Sequence, residues 1–134
     1  MEEKEVEFKQ VSEREIYVDK NRFYLGEDNI TYITIVGNTD EGIAVKANET
    51  ILHFSSIVEV KLKSLIDLNK AGKPSFGARK MAKEILVNEK IGKIAMFGIH
   101  PVAKVIASFV MGISKKKDMR FFKTKEEALN WLNE

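Results

Sequence analysis

The chain has no cysteine among its 134 residues, so disulfides, thiolate catalysis, iron–sulfur clusters and cysteine zinc sites are excluded. Its two histidines, His53 and His100, are too few for a His-rich metal site. It has little net charge: 22 Lys plus Arg oppose 20 Asp plus Glu, leaving +2. A field that weak argues against nucleic acid or an anionic membrane as partner. Long apolar runs are missing as well. The longest, Pro101 to Ile113, is broken by Lys104, Ser108 and Gly112 and is too short to span a bilayer. The first residues, MEEKEVEFK, contain no apolar signal-peptide core. Phosphate-binding and nucleophile-elbow fingerprints (GxGxxG, Walker A, GxSxG) do not occur. These absences lead to the expectation of a cytoplasmic protein without cofactor.

What is present is an ordinary globular balance of 44% apolar and 31% charged residues. A chain of this length suits one domain, which would hide roughly two-thirds of the surface of its unfolded form. Residues 1–14 are charged and read as a weakly ordered lead-in, with the domain spanning 15–134. Arg22–Leu25 and Ile30–Val36 are β-branched and aromatic, and Gly26-Glu27-Asp28-Asn29 between them is a turn cluster, so the pair reads as a β-hairpin. Ile16–Val18 extends the first strand backward, across a break at Asp19-Lys20-Asn21.

Asn38, Thr39 and Asp40 are each able to cap a helix carrying Ile43, Ala44, Ala47, Ile51 and Leu52, which runs to about Phe54. Ile57–Ile66 then alternates, with Val58, Val60, Leu62 and Ile66 on one face, and Asp67 marks its end. Leu68–Pro74 reads as a loop. Ser75 caps the strongest helix, whose stripe is Ala78, Met81, Ala82, Ile85 and Leu86, and Gly92 closes that segment. Lys93–Gly98 is a short buried strand. Pro101 opens a helix with Val102, Val105, Ile106, Phe109 and Ile113 inward. Met119–Lys123 is the last strand, and Thr124 with Glu127 forms a capping box before Ala128, Trp131 and Leu132. The order β-β-α-β-α-β-α-β-α predicts an α/β fold, a mixed sheet with an N-terminal antiparallel hairpin and helices packed on it.

Candidate chemistry is sparse. His100 follows a strand's carboxyl end, where sites gather in open α/β sheets; it reads either as an acid–base group or as a cap beside Pro101. His53 has no partner motif. Ser75 serves as a cap, or as a phosphorylation acceptor at a helix N-terminus, where backbone donors tolerate anions. Lys115-Lys116-Lys117 reads as a solvated basic loop, and Trp131 as core. No nucleophile–base pair emerges, so a non-enzymatic role is expected.

The element order resembles the STAS fold of anti-sigma-factor antagonists and their SpoIIAA-like relatives. KIAMFG, an apolar helix and RFFKTKEEALNWL are similar to the ending of SpoIIAA-like proteins. In true antagonists a loop with an Asp-Ser pair follows the strand matching Ile57–Asp67, and a partner kinase phosphorylates that Ser. Ser75 falls near the equivalent place, but the segment reads Lys73-Pro74-Ser75-Phe76-Gly77, with no Asp before the Ser. The resemblance implies a regulatory interaction module docking a kinase or other regulator around Asp67–Arg79, with Asp67, Asn69, Lys73, Ser75, Arg79 and His100 as binding residues. The alternative is a binder of a small apolar or lipid-like ligand in a cleft between sheet and helices. A homodimer is compatible with either reading.

Overall fold

A computed structural model describes residues 6–114 and 118–134; of residues 109, 110, 113 and 114 it describes the backbone alone. The Lys115–Lys117 run lies outside the described residues. Seven strands form one sheet in sequential order: β1 (Phe8–Ser12), β2 (Glu15–Val18), β3 (Asn21–Leu25), β4 (Ile30–Thr39), β5 (Leu62–Pro74), β6 (Ile91–Phe97) and β7 (Met119–Phe122). The first four are antiparallel neighbours; β4 through β7 run parallel. Helices α1 (Glu41–Ile57), α2 (Phe76–Leu86) and α3 (Pro101–Ser114) connect the parallel strands, and α4 (Lys125–Leu132) closes the chain.

The expected hairpin is β3–β4, turned at Gly26–Asn29, where Gly26 N–H donates to Ile30 C=O and Asn29 sits at φ 61°. Asn tolerates that left-handed backbone because its short polar side chain bonds locally. Two strands come in addition. Residues 8–12, expected as lead-in, form the exposed edge strand β1, and Glu15–Val18 is a separate strand.

Strand β5 differs most from the sequence reading. It begins at Leu62, because α1 continues to Ile57; Val60, expected on an inward face, is 70% exposed. It does not stop at Asp67: the expected loop Leu68–Pro74 is its second half, paired with β4 as far as Thr39↔Pro74. Two register shifts, at Thr34/Val36 and Gly37/Thr39, interrupt the ladder. A bulge puts an unpaired residue in one strand and spoils the two-residue period there. Helix α2 ends at Leu86 rather than near Gly92, and β6 starts at Ile91.

The core lies in two layers. On one face of the sheet, Phe23, Ile33, Leu62, Ile94 and Met96 meet Phe54 of α1, Ile85 and Leu86 of α2 and Ala107 of α3. On the other, Ile30, Leu65, Ala95 and Phe97 meet Ala128, Trp131 and Leu132 of α4. Inward positions of α4 follow the expected stripe. Leu52 and Val105 do not: both are exposed, and on the inner face of α3 Ala103 and Ala107 join the expected Ile106, while the side chains of Phe109 and Ile113 lie outside the described residues. Among the described residues no helix is long and apolar enough to cross a membrane.

Candidate binding site

The parallel strands deliver four helix starts to one edge of the sheet. β4, β5, β6 and β7 end at Thr39, Pro74, Phe97 and Phe122, and the residues just beyond them include Asp40, Ser75, His100 and Thr124. Three of these cap helices through side-chain oxygens. Asp40 accepts from Ile43 N–H at 2.9 Å, Ser75 from Ala78 N–H at 3.0 Å and Thr124 from Glu127 N–H at 3.2 Å. The Thr124 hydroxyl also donates to the Glu127 carboxylate at 3.0 Å.

Ser75 is exposed, and its own N–H donates to Thr39 C=O at 2.8 Å. Its position is therefore fixed from two sides, by the strand ladder and by the cap. Next to it Phe76 is 69% exposed, with the Arg79 guanidinium 5.9 Å and the Lys80 ammonium 5.7 Å from its ring centroid. Lys73 is exposed, and its N–H donates to the Asn38 side chain at 2.9 Å. That contact demands a glycine beside it: a Cβ on Gly72 would lie 2.1 Å from Asn38 Oδ1 and 2.9 Å from two backbone atoms.

Asn69 ties this edge together. Its side-chain oxygen accepts from Ile99 N–H at 2.9 Å, and its own N–H and Nδ2 donate to Asp67 Oδ1 at 2.9 and 3.0 Å. Asp67 itself belongs to the opposite face, where Arg22, Tyr24, Tyr32, Thr34, Phe97 and Lys125 surround it in an open groove of about 250 Å³. His100 is exposed and its Nδ1 accepts from Val102 N–H at 3.2 Å, so it acts as the cap of α3. The six sequence-predicted residues thus do not make one cluster. Lys73, Ser75 and Arg79 share the start of α2, while Asn69 and His100 shape the neighbouring turn, which Asp67 supports from the opposite face by accepting from Asn69.

Behind Ser75 lies a cavity of about 190 Å³, open to solvent on one side, between the sheet and helices α1 and α2. Phe23, Ile33, Ile66 and Met96 form its floor, Ile51 and Leu86 its roof. It exists because small side chains face the sheet: Ala44 and Ala47 from α1, Ala78 and Ala82 from α2. Asn48 bridges the two helices, donating through Nδ2 to Met81 C=O at 2.8 Å. Those inward alanines are the signal in the sequence that points to the cavity; Phe76 carried no such signal.

Two groups on the open-groove face are electrostatically perturbed. Burial, then the hydrogen bond its hydroxyl donates to Asp28 at 2.5 Å, pushes Tyr32 up from 10.0 to about 12. Arg22 is raised above its ordinary value, chiefly by donating through Nε to Glu15 at 2.6 Å. Among the described residues no group of three or more His, Asp and Glu side chains is placed to hold a metal ion.

A sheet with three crossover helices on one face and a terminal helix on the other is the SpoIIAA-like, STAS-type architecture. An uncharacterised protein of the DUF3478 family with a SpoIIAA-like fold, from Shewanella loihica PV-4, superimposes with a TM-score of 0.63 over 98% of each chain, at 14% identity. The anti-sigma factor antagonist SpoIIAA in its unphosphorylated form superimposes with a TM-score of 0.60, covering 84% of this chain and 97% of its own, at 11% identity. At such identities the likeness establishes the fold. The chain belongs to the family of a domain of unknown function, DUF7793, which matches residues 23–134. No curated protein matches its sequence.

Proposed function

We propose that the protein is a non-enzymatic binding module of STAS type, which docks a partner protein through the carboxyl edge of its sheet around Asp67–Arg79. The observation that carries this is the exposed start of α2, where Phe76 projects between Arg79 and Lys80. Aromatic and Arg side chains are the residues that most often anchor protein interfaces. From Leu68 to Lys83 the chain holds five Lys and Arg and no Asp or Glu, although its net charge is only +2. The complementary partner surface is therefore acidic. Asp67 contributes indirectly, by fixing the Asn69 turn. Ser75 is the natural switch: a phosphate there adds nearly two negative charges among those cations and would repel the same partner.

The test is quantitative co-purification from the cells that make the protein, with wild type, Phe76→Glu and Tyr17→Glu (opposite face) in parallel. A stoichiometric partner retained by wild type and Tyr17→Glu but lost by Phe76→Glu supports the edge. Equal retention by all three, or loss through Tyr17→Glu alone, refutes it. Detection of phosphate on Ser75, with loss of the partner in Ser75→Asp, supports the switch.

A second reading, binding of a small apolar ligand, is favoured by one specific observation: the cavity between sheet and helices. Native mass spectrometry of protein from its own host tests it, a stoichiometric non-covalent adduct being expected.

A further inference from the structure

We infer that the cavity behind Ser75 is a site for a medium-chain carboxylate, its chain of about six to eight carbons lying between sheet and helices and its anion resting on Arg79. The inference rests on the ligand reading above and names the ligand class. Its first support is composition. Among the described residues the lining is apolar apart from Thr39, Asn48, Ser64 and Arg79, and a cavity of that kind prefers hydrocarbon to water.

Size sets the chain length. An apolar protein cavity of about 150 Å³ accommodates the six carbons of benzene. In proportion, about 190 Å³ takes seven or eight carbons, which rules out a long-chain fatty acid lying wholly inside.

Charge sets the head group. Among the described residues Arg79 is the one charged side chain lining the cavity, and its guanidinium stands 5.9 Å from the ring of the exposed Phe76. Arg79, half-buried, thus touches both the cavity and an exposed aromatic ring, a boundary position that long cationic side chains favour. Thr39 and Pro74 line the same end, so the cavity reaches the carboxyl edge at Arg79. A planar guanidinium pairs with a carboxylate through two parallel N–H bonds. An opposing charge shares this lip: Glu41 at the start of α1 lies against the first turn of α2, with its Oε2 3.0 Å from where a Gly77 Cβ would be. Replacing it should therefore strengthen binding of an anion.

Isothermal titration of the full chain with butanoate, hexanoate, octanoate, dodecanoate and 1-octanol tests this. The expected result is one site, with affinity rising about fourfold per methylene up to octanoate and no further gain at dodecanoate. Octanoate should bind about tenfold tighter than 1-octanol. Arg79→Gln should remove that advantage without weakening 1-octanol, and Glu41→Gln should tighten octanoate alone. Ala82→Phe, which fills the cavity, should abolish both. Because that variant risks misfolding, octanoate-induced shifts of the Ile51 and Leu86 methyl signals in wild-type protein provide the independent placement. Equal binding of octanoate and 1-octanol, or an Arg79→Gln variant with unchanged octanoate affinity, overturns the carboxylate assignment while leaving an apolar ligand site standing. Failure of every probe to bind, or shifts confined to other methyls, overturns both.

Discussion

Ser75 combines two properties that are separable by substitution. Its side chain caps α2, and its exposure places it on the surface proposed for docking. Ser75→Ala should lower unfolding free energy by about 1 kcal/mol, read from urea denaturation, whereas Ser75→Asp, which still offers an acceptor oxygen, should stay near wild type. A cost near zero for alanine would show that the cap is not what holds the helix start. Tyr32 gives a pH prediction. Its folded-state value is raised from 10.0 to about 12, so the neutral hydroxyl is the form the fold stabilises. That contribution is complete below pH 10 and is lost as the pH rises through about 12. Thermal denaturation of wild type minus Tyr32→Phe should therefore show a difference that shrinks across this alkaline window; a constant difference would mean the hydroxyl is not held as described.

Among the elements, β5 shows what periodicity reveals and what it misses. Helices α2 and α4 were legible because their inward residues recur at three- and four-residue spacing and their caps, Ser75 and Thr124, are chemically specific. The β3–β4 hairpin was legible from its turn residues. The second half of β5 was not, since Lys70, Gly72 and Pro74 have loop-like composition and the bulged ladder there breaks alternation. Gly37 at φ +76° and Gly72 packed on Asn38 are demands of that bulged pairing, not signs of a loop. Gly72→Ala consequently has nowhere to go: its Cβ would meet backbone atoms at 2.9 Å. We expect a loss of roughly 1–3 kcal/mol in chemical denaturation, with the far-UV spectrum retained. A neutral Gly72→Ala would show that the β4–β5 ends do not approach so closely. Of the candidate site, the place of Ser75 at a helix start was legible from the sequence, whereas Arg79 entered only through the family resemblance. The face to which Asp67 points was not, because one bulge or a shifted strand end reverses every side chain beyond it.

At the scale of the molecule, a net charge of +2 conceals segregation. The cations between Leu68 and Lys83 have no acids among them, while the first 15 residues hold six Glu against three Lys and Arg. Total charge thus said little about the α2 start, where Lys73, Arg79 and Lys80 gather at one edge with Glu41 of α1 as the acid beside them. The same view makes β1 peripheral: its five residues are all exposed, and it pairs only with β2. A chain beginning at Glu13, which loses β1 together with the Val6 contact on the core and the Glu7–Asp19 hydrogen bonds, should still fold, with a melting temperature lowered by roughly 5–10 °C; wholesale unfolding would mean that the edge strand is integral to the sheet. The proposed function places contacts with other molecules at the carboxyl edge and not on the open sheet face beside α4. A photo-crosslinking amino acid placed at position 76, with a second variant carrying it at position 24, measures this inside the cells that make the protein. A discrete adduct from position 76 with none from position 24 is the predicted result, and an adduct from position 24 alone would contradict the account.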